Sequence, residues 1–508
     1  MLVQEFLENS VARTPDKVGL ICDGQRLTYA GIEAQANRLA NALKAHGLER
    51  GERVVIYLPN SVESVIGIFA ALKAGGVFVV VNYATKYQKL AYILNNCQAS
   101  ALLTSGRRAH LAERLAQDVP SLKLTVLTAP SPGEMESSDR LSFDAIQERY
   151  SPERPPRVNI DLDLAALVYT SGSTGDPKGV MEDHSNVAFA AGSIIEYLEN
   201  VPDDIVIDVL PLSFDYGLYQ LLMVFKFGGT LVLERGFNYP TAILKRMETE
   251  RVTGFPGVPT IFAVLLQMDI STYDLSSLRY LTNTAAALPP SHITRLGKKF
   301  PRATLYSMYG LTETKRTLYL PPDQLDKRPG SVGIAIPGTE VWIEDRKGNR
   351  LGPGQVGELV ARGRHVMRGY WGDPEATAER YRPGPIPGER VCYTGDFFTV
   401  DEEGFMYFIS RRDDIIKSRG EKVAPKEVEN VLYELQGVRE VAVIGVPDPI
   451  LGEAIKALIV AEGTELSEAR VLAHCRANLE DWMVPQYVVF CEELPKTTTG
   501  KIKKTGLQ

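Results

Sequence analysis

Apolar and polar positions follow a repeating strand–helix rhythm along the chain. From Leu27 an apolar strand leads into Ile32, Leu39, Ala42 and Leu43 at helical spacing, and Gly47 marks the stop. Residues 53–58 read as a buried strand, 61–74 as a helix and 77–81 as another strand. Short apolar runs return at 101–104, 206–210 and 230–233. Parallel neighbours need a crossover connection, so this alternation predicts parallel sheets covered by helices. Residues 131–163, rich in Pro, Ser and charge, read as a surface connection.

The pattern changes near residue 413. Upstream lie glycine–proline turns such as 351–354 and 383–388; downstream comes a compact cycle. That cycle predicts a helix over 425–435, strands over 440–445 and 455–461, a helix over 467–479 and a strand over 487–491. The expected class is α/β: an N-terminal body (1–412) of parallel-rich sheets covered by helices, and a small α+β C-terminal domain (413–508).

Composition adds mainly exclusions. With 44% hydrophobic and 23% charged residues, the 508-residue chain is neither disordered nor fibrous. A net charge of -7 gives no general attraction to nucleic acid. No apolar run is long enough to span a membrane, and MLVQEFLENS carries no export signal, so a cytoplasmic protein is expected. Five scattered cysteines and six scattered histidines form no disulfide frame and no transition-metal ligand spacing.

The most concentrated chemistry is Leu167-Val-Tyr-Thr-Ser-Gly-Ser-Thr-Gly-Asp-Pro-Lys-Gly179. An apolar strand runs into glycines that let backbone N–H groups converge, hydroxyls that add donors and a lysine that adds charge; this can cradle polyphosphate. It is not a Walker loop, because Pro177 and Gly179 flank Lys178 where that motif needs Gly-Lys-Ser/Thr. By itself the segment also reads as a surface turn.

Its ordered company decides between the two. Tyr309-Gly-Leu-Thr-Glu313, Tyr393-Thr-Gly-Asp396, Ser410-Arg-Arg-Asp-Asp-Ile-Ile-Lys417 and Pro495-Lys-Thr-Thr-Thr-Gly-Lys501 follow in turn. In this order the motifs resemble the adenylate-forming superfamily of acyl-CoA synthetases, peptide-synthetase adenylation domains and luciferases, over essentially the whole chain.

The resemblance implies ATP-dependent activation of a carboxylic acid to an acyl-adenylate, then transfer to a pantetheine thiol. Thr170, Ser171, Gly172, Ser173, Thr174, Gly175 and Lys178 would hold the β- and γ-phosphates. Tyr309 would stack on adenine beside Ala285 and Ala286; Asp396 would take the ribose hydroxyls, supported by Arg411. Thr312 would bond the α-phosphate and Glu313 would hold Mg²⁺. Lys501 would bridge the acid and the α-phosphate from a mobile C-terminal domain hinged at Asp413, and Gly420 would line the thiol tunnel.

The substrate segment, Leu210-Pro-Leu-Ser-Phe-Asp-Tyr-Gly-Leu-Tyr-Gln220, places Phe214, Asp215, Tyr216 and Tyr219 in the acid pocket, with Met308, Lys315 and Arg316. Asp215 matches the aspartate that binds an amino group in amino-acid-activating members; otherwise it would cap its helix. Two acceptors stay open, CoA and a separate carrier protein, the latter loaded by a stand-alone, prolyl-like enzyme. With no attachment site after Lys501 the chain reads as a free-standing ligase. A non-catalytic nucleotide sensor is the third reading. The retained Lys501, Glu313 and Asp396 speak against it.

Overall fold

Continuous apolar runs become central parallel strands. Val77–Val80, buried at all four positions, lies between Arg53–Tyr57 and Leu164–Thr170, parallel to both. A strand covered on both faces has no polar alternation to show, which is why these runs are uniformly apolar. The computed structural model describes the chain except residues 130–136, 171–175, 285, 287, 412, 413, 415, 419, 420, 449, 450, 463–465, 498–500, 505 and 508.

Among the described residues there are three sheets. An eight-stranded sheet runs in the order Gly369–Tyr370, Lys178–Asp183, Leu164–Thr170, Val77–Val80, Arg53–Tyr57, Ala99–Ser105, Leu124–Thr128, Arg140–Ser142. A 14-stranded sheet has two halves. Its parallel half joins Val18–Cys22, Thr230–Leu233, Ile205–Asp208, Gly254–Gly257, Tyr280–Asn283 and Thr304–Tyr309. Beyond Thr304–Tyr309 the pairing turns antiparallel through Leu318–Leu320, Ser331–Ala335, Met406–Arg411, Arg390–Val400, Val356–Arg362 and Glu340–Glu344.

The helix Val62–Lys73 is buried at nearly every position, as a layer between two sheets must be. Its start is fixed by a capping box in which Ser61 and Ser64 satisfy each other's backbone N–H groups. One continuous core contains Leu20, Val206 and Leu231 of the larger sheet and Val54, Ile56 and Leu103 of the smaller.

One expectation needs correction. Residues 131–163 are not only a connection: Arg140–Ser142 adds a strand and Phe143–Arg149 a helix, anchored by buried Phe143 and Ile146. The glycine–proline stretch before 413 forms the antiparallel half-sheet, because tight turns are what join antiparallel neighbours. Downstream, Ile416–Ser418, Glu421–Val423, Val438–Asp448, Gly452–Ala461 and Tyr487–Phe490 form the third sheet. Helices Pro425–Glu434 and Glu468–Asn478 cover it, with Val428, Leu432, Val443, Ile459 and Val471 in a core of their own. The class is the expected α/β body with a small C-terminal sheet domain. Among the described residues no helix is long and apolar enough to cross a membrane.

Candidate active site

Three loops leave the carboxyl ends of the parallel half-sheet, where open α/β sheets bind ligands. After Ile205–Asp208 the chain reaches Phe214 and the helix Asp215–Phe227. After Tyr280–Asn283 comes the loop of small residues. There Asn283 Nδ2 donates to the Ala286 carbonyl at 3.1 Å, and Ala286 is exposed while Ala285 lies outside the described residues. After Thr304–Tyr309 comes the turn from Gly310 to Thr317, closed by the Thr317 N–H donating to the Tyr309 carbonyl at 2.9 Å. A Cβ on Gly310 would fall 1.7 Å from the Lys315 carbonyl oxygen, so only glycine fits there.

Tyr309 and Asp396 are joined directly. The Tyr309 hydroxyl donates to Asp396 Oδ2 at 2.7 Å, and its ring meets Phe398 edge-on with centroids 4.9 Å apart. Arg411 stands opposite Asp396 in the antiparallel ladder, its Nε 3.7 Å from Oδ1. Burial raises the Asp396 carboxyl above its ordinary value, opposed by Arg411 and by the Tyr309 hydrogen bond.

Glu313, 6% exposed, is held from the other side. The Tyr370 hydroxyl donates to its Oε1 at 2.6 Å, and Arg380 Nη2 lies 3.9 Å from the same oxygen. Thr312 precedes it in the turn, half-buried. Lys178 opens the strand paired with Leu164–Thr170, with Thr170 and Lys178 opposite one another. Its ammonium lies 3.3 Å from Asp373 and 5.4 Å from the Tyr370 ring centre. Tyr370 therefore touches both Lys178 and Glu313. Ser171 to Gly175, between those strands, lie outside the described residues, as do Asp413 and Gly420.

Lys501 comes from the C-terminal region. Its backbone is tied to Thr497 by bonds of 2.7 and 3.1 Å, and its Nζ lies 5.5 Å from the Phe214 ring centre. Burial lowers its pKa from the ordinary lysine value, with Arg411 acting in the same sense and Asp215, Asp396 and Glu313 opposing.

Of the acid-pocket residues, Phe214 is half-buried and Asp215, Tyr216, Tyr219, Met308, Lys315 and Arg316 are buried. Asp215 begins its helix without serving as the N-cap; its carboxylate lies 3.9 Å from Lys315 Nζ. Lys315 also binds Glu182, whose carboxyl is pushed up to about 7 by burial against the pull of that lysine. Tyr216 donates to the Thr282 carbonyl at 2.8 Å, and the Arg316 guanidinium lies 4.5 Å from the Tyr216 ring centre. Lys315 Nζ lies 5.3 Å from the Tyr219 ring centre, and Met308 Sδ accepts from Tyr197 at 2.8 Å.

Glu182, Tyr370, Arg380 and Phe398 escaped the sequence reading. Their only signal was position: Glu182 lies one residue before the end of the strand that Lys178 opens, and Tyr370 sits in Arg368-Gly-Tyr-Trp371, a glycine–aromatic string with no chemistry of its own.

Comparison with known proteins identifies the class. The model of the AMP-binding enzyme family matches residues 7–371, and that of the AMP-binding enzyme C-terminal domain matches 427–501. The chain belongs to this family, the adenylate-forming superfamily, and is an ATP-using, AMP-forming acid–thiol ligase. It is 32% identical to a long-chain-fatty-acid–CoA ligase of Bacillus subtilis, over 99% of this chain and 94% of that one. It is 36% identical to a feruloyl-CoA synthase of Amycolatopsis, over 95% and 93% respectively. The crystal structure of an anthranilate CoA ligase in complex with anthranoyl-AMP superposes with a TM-score of 0.91 at 29% identity, covering 99% of this chain and 95% of that one.

Proposed function

We propose that the chain activates a carboxylic acid with ATP, releases pyrophosphate and passes the acyl group from the adenylate to the thiol of CoA. The observation that carries this reading is the half-buried Lys501 ammonium beside Phe214, under the influence of Asp215, Asp396 and Glu313.

A substrate carboxylate must approach the α-phosphate, and both are anions. Two unit charges at about 4 Å interact by roughly 4 kcal/mol at an effective dielectric near 20. Lys501 between them turns repulsion into attraction where charge builds up. No general base is required, since the nucleophile is already ionised. Tyr309, with Ala285 and Ala286, holds the adenine, and Asp396 with Arg411 the ribose. Thr312 bonds the α-phosphate, while residues 170–175 and Lys178 hold the β- and γ-phosphates. The carboxylate of Glu313 fits a hard cation: Tyr370 and Arg380 both address Oε1, leaving Oε2 as an oxygen ligand for Mg²⁺. When bound, Mg²⁺ supplies charge neutralisation to the departing pyrophosphate.

For the second half-reaction, residues 413–508 swing against 1–412 about Asp413, withdraw Lys501 and bring Gly420 to a thiol tunnel, with the cytoplasm as the setting. CoA is favoured over a carrier protein because the fatty-acid and feruloyl relatives bear CoA in their names. An acyl substrate is favoured over an amino acid because Asp215, the residue suited to a substrate ammonium, already faces the Lys315 cation at 3.9 Å.

Acid-dependent ATP–pyrophosphate exchange across alkyl, aryl and amino acids, followed by thioester assay with CoA or a carrier protein, tests the reading. Acyl-CoA and AMP in equal amounts are the expected products. Proline-dependent loading of a carrier protein alone would establish the alternative acceptor, and nucleotide binding without exchange would establish the sensor.

A further inference from the structure

Lys315 and Arg316 are consecutive, basic and buried, at 1% and 2% exposure. Lys315 has a positive φ of 59°, a conformation that costs energy for a residue with a side chain and sets both side chains inside the molecule. Their electrostatic situations then diverge. Lys315 takes the carboxylate of Glu182 and faces that of Asp215. Arg316 is left with a ring face, that of Tyr216, while its Nε and Nη2 have no hydrogen-bond partner. Among the described residues no carboxylate lies within ion-pair distance of it.

A buried guanidinium without an anion is costly, and the Tyr216 ring face offsets only part of that cost. Nε and Nη2 form one edge of the guanidinium plane, the edge that grips a carboxylate through two parallel N–H···O bonds. The Tyr219 hydroxyl, on the same helix as Tyr216, is likewise buried with no partner. From Lys501 the route to Arg316 is aromatic: Nζ lies 5.5 Å from the Phe214 ring, that ring 6.2 Å from Tyr216, and Tyr216 4.5 Å from the guanidinium. A cation thus stands at each end of the Phe214–Tyr216 pair.

We propose that Arg316 receives a second carboxylate of the substrate, so that the acid activated is a dicarboxylic acid: one carboxylate reacts at Lys501 and the other is gripped by Nε and Nη2. This rests on the ligase reading above and names its substrate class.

The test is acid-dependent ATP–pyrophosphate exchange with matched mono- and dicarboxylic acids, in aliphatic and benzoic series, on wild type, Arg316→Met and Arg316→Lys. A site built to bond a polar group rejects the analogue lacking it strongly, so the wild type should prefer diacids by about a hundredfold or more in kcat/KM. In Arg316→Met that ratio should collapse towards one. Arg316→Lys, which keeps charge but not the fork, should fall between. A merely structural arginine would lower both acids together and leave the ratio unchanged, overturning the proposal. So would a wild type that prefers monoacids or amino acids, a result that needs no variant to fold. Exchange with no acid at all would overturn the ligase reading and this subsite with it.

Discussion

The Tyr309 hydroxyl donates to Asp396 Oδ2 at 2.7 Å, so the residues assigned to adenine and to ribose act as one bonded unit. A carboxylate offers about four acceptor positions. Tyr309 can hold one of them and still leave room for two ribose hydroxyls. Tyr309→Phe keeps the ring and removes the tether. A hydrogen bond to a charged group contributes roughly 1.5–3 kcal/mol, so KM for ATP should rise about tenfold or more with a smaller change in kcat. Asp396→Ala should cost more, in kcat/KM for ATP. Initial rates against ATP concentration check both, and an unchanged KM in Tyr309→Phe would count against the tether.

Glu313 is oriented by Tyr370, which also lies beside Lys178. Glu313→Gln should lower adenylation by about a hundredfold or more, as expected when a group acting on developing charge is lost, and should raise the Mg²⁺ concentration giving half-maximal rate. Tyr370→Phe should shift the Mg²⁺ requirement in the same direction by less. Mg²⁺ titrations of pyrophosphate exchange measure this. An Mg²⁺ response identical to wild type in Glu313→Gln would remove the metal role.

The Glu182–Lys315 pair is fully buried, and Asp215 shares the lysine. Removing one member of such a pair strands the other, at a cost of about 3–5 kcal/mol. Lys315→Met should therefore lower the urea midpoint markedly, and adding Glu182→Gln should recover a substantial part of the loss. Strict additivity of the two substitutions would mean that the residues do not interact.

How much of this was legible beforehand depended on chain separation. The parallel core could be read because each strand and its helix carry their own periodicity, as in residues 53–58 and 61–74. The antiparallel half-sheet was hidden because its register depends on pairings such as Asp396 with Arg411 rather than on local pattern. At the site, motif-borne residues such as Glu313 and Lys501 stood out. Glu182 and Tyr370 did not, because each acquires its role from a partner more than fifty positions away. Arg316 was visible as a pocket residue, but its lack of a partner is a three-dimensional fact.

The lowered pKa of Lys501 has a kinetic consequence. Only the protonated amine can bridge two anions, so adenylation should decline as pH rises through that pKa. The alkaline limb should thus fall below the ordinary lysine value of 10.5. Lys501→Arg, charged throughout, should be slower but lack this limb. A limb at the same pH in both proteins would assign it to another group.

The most direct measurement separates the two half-reactions in Lys501→Ala. Acid-dependent ATP–pyrophosphate exchange should be lost, while conversion of a supplied acyl-adenylate and CoA to the thioester should persist near the wild-type rate. Exchange that survives the substitution, or equal loss of both steps, would contradict the account.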